Sequence, residues 1–139
     1  MSHSRHLKKG LLLAAAGGWT AAIPLLSLVP PSMMPSLGFL GRIPHVDKWI
    51  HAGIYGLQTV LFIATWQAFR PGARWRGWAG LALASSLYGL LMEVLQRRLT
   101  EVRTFSWGDV AANAAGALLA VVVAVAVSRF DTHRTFRRP

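Results

Sequence analysis

Residues 77–96 read GWAGLALASSLYGLLMEVLQ, twenty residues whose single charge, Glu93, falls near the end. About 20 mostly apolar residues in a helix cross a hydrocarbon core about 30 Å thick, so this stretch is expected to span a membrane. Three further runs have the same character. Residues 10–29 carry no charge, residues 49–69 hold His51 and two glutamines as their main polar content, and residues 110–128 contain Asn113. Helices of a soluble bundle need polar outer faces, and these runs have none. The expected fold is therefore all-α: a polytopic membrane protein, a four-transmembrane-helix bundle in one domain over residues 1–139, with a basic tail at 129–139.

Composition agrees with this frame. Of 139 residues 53% are hydrophobic and only 14% charged, against about 25% charged in soluble proteins. Fifteen Lys and Arg face five Asp and Glu, a formal charge of +10. The cations sit at the ends of apolar runs rather than on one helix face, which argues against nucleic acid and for anionic lipid headgroups as partners. The absence of cysteine excludes disulfides, thiolate chemistry and cysteine-type zinc sites.

Arg5, Lys8 and Lys9 before the first run resemble the start of a secretory signal. The run is longer than the usual 7–15-residue apolar region of such a signal, so a retained helix is expected. Pro24 removes a backbone donor inside it, and the freed carbonyl needs a partner on a neighbouring helix. Ten cations (Arg5, Lys8, Lys9, Arg70, Arg74, Arg76, Arg129, Arg134, Arg137 and Arg138) fall on one side of the four runs. Five (Arg42, Lys48, Arg97, Arg98 and Arg103) fall on the other. The positive-inside bias then places both termini in the cytoplasm.

With this topology the polar residues gather at one level. Asp47 to Tyr55 open the second helix from outside, Glu93 and Gln96 close the third, and Asp109 and Asn113 open the fourth. Lys48, His51, Tyr55 and Gln58 follow helical spacing, as do Ser85, Gly89, Glu93 and Gln96, and Asp109, Asn113 and Gly116. Ala52, Gly56, Gly89, Ala112 and Gly116 are small enough to let backbones approach closely. Ser106-Trp107-Gly108-Asp109 has the form of a capping box. Trp49, Tyr55 and Trp107 outside, with Trp66, Trp75 and Trp78 inside, are expected as interfacial belts. The Pro/Gly-rich residues 30–41 are expected to form an irregular segment at the interface.

Each polar group has two readings. Glu93 is a buried helix tether or a general acid/base. His51 is a proton shuttle with Glu93 or Asp109, or a satisfied hydrogen-bonding residue. Asp109 complements the helix dipole, and Asn113 bridges helices. Arg103 is the residue best suited to clamp a phosphate or carboxylate, since guanidinium binds both bidentately, and Lys48 would assist it. One histidine with two carboxylates has no diagnostic metal spacing, so neither metal nor cofactor is expected.

These residues also resemble a known pattern. Asp47-Lys48-x-x-His51-x-x-x-Tyr55 is similar to the first signature of the VanZ-like family. Glu93-x-x-Gln96 followed by Arg103-x-x-Ser106-x-x-Asp109-x-x-x-Asn113-x-x-Gly116 is similar to the second. The similarity covers roughly residues 20–125. The loop at 97–102 departs from it, lacking the Pro-Gly turn common in the family. The family is named for a membrane protein associated with low-level teicoplanin resistance, and most members have no assigned activity. The resemblance implies action at the outer membrane face on an anionic amphiphile: a lipid, a cell-wall precursor or a lipoglycopeptide, with an effect on glycopeptide susceptibility. It supplies no reaction. Were there one, Glu93, His51 and Asp109 would carry acid–base chemistry, with Asp47, Lys48, Tyr55, Gln96, Arg103, Ser106 and Asn113 binding the ligand. The alternative is a non-catalytic scaffold whose polar cluster fixes helix packing. A homo-oligomer is compatible with either.

Overall fold

The computed structural model describes residues 2–29, 33, 38–72, 75–100 and 104–135. It is all-helical: α1 (Ser2–Leu28), a 3-10 turn (Gly38–Arg42), α2 (Val46–Phe69), α3 (Trp75–Leu99) and α4 (Trp107–Thr135). The helices run up and down in sequence. The C-terminal ends of α1 and α3 meet the N-terminal ends of α2 and α4, as bonds from Gln96 to Ser27, from Ser106 to Glu93 and from Lys48 to Asp109 show. Lys9 of α1 lies over the ring of Phe69 at the other end of α2, so both termini of the helical chain share the end opposite the polar layer.

The four helices fall where the sequence places them, extended by local chemistry. His45, after Pro44, adopts a left-handed conformation (φ 55°). Its carbonyl accepts the amides of Lys48 at 2.9 Å and Trp49 at 3.3 Å, which starts α2 at Val46 and draws Asp47 and Lys48 into its first turn. At the far end Gly72, with φ 87°, supplies the reversal between α2 and α3 that a side chain would resist.

The distribution of polarity is that of a membrane protein. The buried positions include Gln58, Thr59, Ser85, Glu93, Gln96 and Asn113, while Leu11, Leu83, Leu87, Leu119 and Val122 are exposed. Among the described residues three helices are long and apolar enough to cross a bilayer: His3–Leu28, Trp75–Leu99 and Trp107–Arg129. The fourth expected span, in α2, is not among these three. Residues 46–69 are long enough, but His51, Gln58 and Gln67 dilute their apolarity. In the fold α2 lies against all three other helices and buries Tyr55, Gln58, Thr59 and Ile63.

Helix contacts rest on small residues and on satisfied hydroxyls. A Cβ at Gly116 of α4 would overlap the Ala52 carbonyl of α2, and one at Gly56 would stand 3.2 Å from the Gly116 oxygen. At Gly89 it would meet the Asn113 amide nitrogen at 2.7 Å. Thr20, Thr59, Thr65 and Ser86 each donate to the carbonyl four residues back, a way to bury a hydroxyl without a foreign partner.

Pro24 leaves the carbonyl of Thr20 without its helical donor, and Tyr88 of α3 fills that place, its hydroxyl donating at 2.9 Å. Tyr88→Phe should therefore destabilise the protein by about 1–2 kcal/mol, the cost of an unsatisfied buried acceptor. In a Pro24→Ala background the helix supplies its own donor, so the same change should cost less. Unfolding of the two pairs of variants in detergent checks this; equal costs in both backgrounds would reject the compensation.

Two expected features differ. Tyr55 and Trp78 are not interfacial: both are buried, at 2% and 4% exposure, whereas Trp49, Trp75 and Trp107 are exposed. Tyr55 packs with Ile23 and Met92 in the core and meets Tyr88 edge-on. Of the segment 30–41, residues 30–32 and 34–37 lie outside the described residues; Gly38–Arg42 is a regular 3-10 turn.

Candidate functional site

Polar side chains from α2, α3 and α4 meet at one end of the bundle. α2 brings Lys48, whose ammonium lies 2.6 Å from Asp47 Oδ2 and 2.6 Å from Asp109 Oδ1. These groups precede the apolar run that begins at Trp49, and the cluster is part-exposed. The bond to Asp109, then that to Asp47, pushes the Lys48 pKa up to about 12. The same ammonium holds the Asp47 carboxyl below its usual range. Lys48 thus stays charged at neutral pH. Its stem crosses the start of α4 at Gly108, where a Cβ would stand 2.8 Å from Lys48 Cε.

One turn deeper, His51 Nδ1 and Asn113 Oδ1 are 3.1 Å apart. A proton on Nδ1 makes the histidine the donor and leaves Nε2 with its lone pair. Asn113 is 1% exposed, and its Nδ2 has no hydrogen-bond partner among the described residues. Its seat depends on Gly89, which leaves room for the amide.

Glu93 comes from α3 and is 2% exposed. Its Oε2 accepts the backbone amide of Ser106 at 3.2 Å, while Ser106 Oγ accepts the amide of Asp109 at 3.2 Å. Half of the expected capping box is thus present. The reciprocal half is not, because Asp109 turns its carboxylate to Lys48 and Glu93 of another helix takes the Ser106 amide instead. The start of α4 is thereby fastened to both α2 and α3.

The three residues read from the sequence as acid–base candidates come together. One ring nitrogen of His51 and one carboxylate oxygen each of Glu93 and Asp109 lie within 4.8 Å of one another. Such a set can exchange protons, and it is also a nitrogen–oxygen donor set of the kind transition metals accept. No spacing in the sequence announces it, since each residue belongs to a different helix.

Other named residues occupy different ground. Tyr55 lies below the layer in the core. Gln96 points to α1, donating to the Ser27 carbonyl at 2.9 Å. Arg103 lies outside the described residues. A second polar cluster lies deeper in the bundle, and the sequence did not name Thr20, Tyr88 or Trp19 as its members: Gln58 Nε2 donates to Thr20 Oγ1 at 2.8 Å, beside the Tyr88–Thr20 bond, and Trp19 Nε1 donates to the Ile54 carbonyl at 3.1 Å. The donor that Pro24 calls for, at the residue four positions earlier, is the Tyr88 hydroxyl.

No protein-family model matches the chain, and no similar curated protein or solved structure is found.

Proposed function

We propose that all four helices cross the bacterial cytoplasmic membrane, with both termini inside, and that the polar layer faces outward to bind or act on an anionic amphiphile. The observation that carries this reading is the convergence of His51, Glu93 and Asp109 within 4.8 Å, from three helices, beside the half-exposed ammonium of Lys48. Ionisable groups at such a depth are costly, and function is the usual reason they are kept. Lys48, with Arg103 by the sequence motif, would hold a phosphate or carboxylate headgroup in competition with Asp109. The likeness to the VanZ-like family rests on the motifs quoted above; it extends the proposal to cell-wall precursors or lipoglycopeptides, and so to teicoplanin susceptibility.

A scaffold is the second reading, favoured by one feature: Lys48 bonds to Asp109, His51 to Asn113 and Glu93 to Ser106, so the layer also binds itself.

One experiment on cells and purified protein tests the proposal. The chain has no cysteine, so Gly41→Cys and Ser4→Cys can be labelled without background. An impermeant maleimide should reach Gly41→Cys from outside intact cells and leave Ser4→Cys unlabelled; the reverse pattern puts the layer on the wrong side. Native mass spectrometry of the membrane protein should then find anionic lipids or precursors that are depleted in Lys48→Ala and Arg103→Ala. Unchanged profiles in both variants would remove the headgroup reading.

A further inference from the structure

A groove of about 730 Å³ runs between α1, α2 and α3, away from the polar layer. That volume lies within the range of small-molecule sites, roughly 300–1,000 Å³. Its walls are apolar and include Leu13 and Gly17 of α1, Phe62 and Phe69 of α2, and Leu81 of α3, with Tyr88 near one end. Among the described residues α1 is hydrogen-bonded to α3 towards the polar end, through Thr20–Tyr88 and Ser27–Gln96, which leaves the groove open below. Below Thr20 the wall on α1 is formed by Leu13, Ala16 and Gly17. A Cβ added to Gly17 would meet nothing within 4 Å. From Leu13 to Pro24 the wall is about 16 Å long at 1.5 Å per residue, an elongated shape suited to a hydrocarbon chain.

The other end of the groove is cationic. Arg70 lines it, with its guanidinium 5.1 Å from the ring centre of Trp66, and the Lys9 ammonium lies 5.0 Å from the ring centre of Phe69. Among the described residues neither cation is paired with a carboxylate. Both are held over aromatic rings that line the groove, so an anion lying at its mouth would find two positioned donors.

We propose that this groove binds one anionic phospholipid, with an acyl chain between α1 and α3 and its phosphate between Lys9 and Arg70. Basic pockets between membrane helices recognise such headgroups. The site lies at the opposite end of the bundle from the polar layer and needs only that the helices lie in a bilayer, whatever the polar layer binds.

The test uses the full chain reconstituted in phosphatidylcholine vesicles with rising fractions of brominated lipid, reading tryptophan quenching as the difference between wild type and Trp66→Phe. Brominated phosphatidylglycerol should quench the Trp66 component at about thirtyfold lower fractions than brominated phosphatidylcholine, in line with two nearby basic residues at about 1 kcal/mol each. The double substitution Lys9→Gln with Arg70→Gln should abolish that preference and leave quenching by phosphatidylcholine in place. Gly17→Phe, which enters open space and should not disturb folding, should weaken quenching by both lipids. Equal quenching by the two lipids in the wild type, or an undiminished preference in the double variant, would overturn the proposal. Neither result would bear on the polar layer, whose own test is the lipid profile of Lys48→Ala.

Discussion

Replacing Gly116 by leucine is expected to cost about 3 kcal/mol or more, at the upper end of overpacking effects, and to remove most of the protein from the membrane fraction. The cause is backbone against backbone. A Cβ at Gly116 would overlap the Ala52 oxygen and stand 2.7 Å from its carbonyl carbon, and neither atom can rotate away as a side chain could. Relief requires α2 and α4 to separate. Their close packing holds His51 against Asn113 and Lys48 against Asp109, so those bonds should fail together. Gly80→Ala is the control: nothing lies within 4 Å of its added Cβ, and relief from glycine in a helix is worth up to about 1 kcal/mol. Thermal melting in detergent compares the two. Similar melting of both variants would mean that the helices are not in backbone contact at Gly116.

The second large effect is expected at Glu93, where charge and hydrogen bonding can be separated. Glu93→Gln keeps an oxygen that can accept the Ser106 amide and removes only the charge. The protein should accumulate at nearly wild-type level while its capture of anionic lipid or precursor changes severalfold. Glu93→Leu removes the acceptor too. The Ser106 amide, at the start of α4, then lacks its partner at a cost of about 1–3 kcal/mol, and abundance should fall as well. If Glu93→Gln lowers abundance and ligand capture in the same proportion, the scaffold reading replaces the proposed one. The decisive quantity is therefore the ratio of capture to folded protein, not either alone.

Much of the molecule was legible because a bilayer narrows the choices. A run such as 110–128, with Asn113 as its main polar residue, has to close its backbone hydrogen bonds on itself in lipid, so composition alone predicts a helix there. The same reasoning placed Gly56, Gly89 and Gly116 at helix contacts and demanded a donor for the carbonyl below Pro24. It misplaced Trp78, which is buried and whose exposure depends on a neighbour that composition does not name.

By itself, then, the sequence determined the number and order of the helices, their inside-out polarity and the level at which Lys48, His51, Glu93 and Asp109 lie. All of these follow from local periodicity, length and charge. Only the tertiary structure decided which partner each group takes: Lys48 with Asp109, His51 with Asn113, and Glu93 with the Ser106 amide in the place the capping motif reserved for Asp109. These pairings depend on rotation of one helix about its axis relative to the next, and that rotation is set by where small residues let two backbones touch.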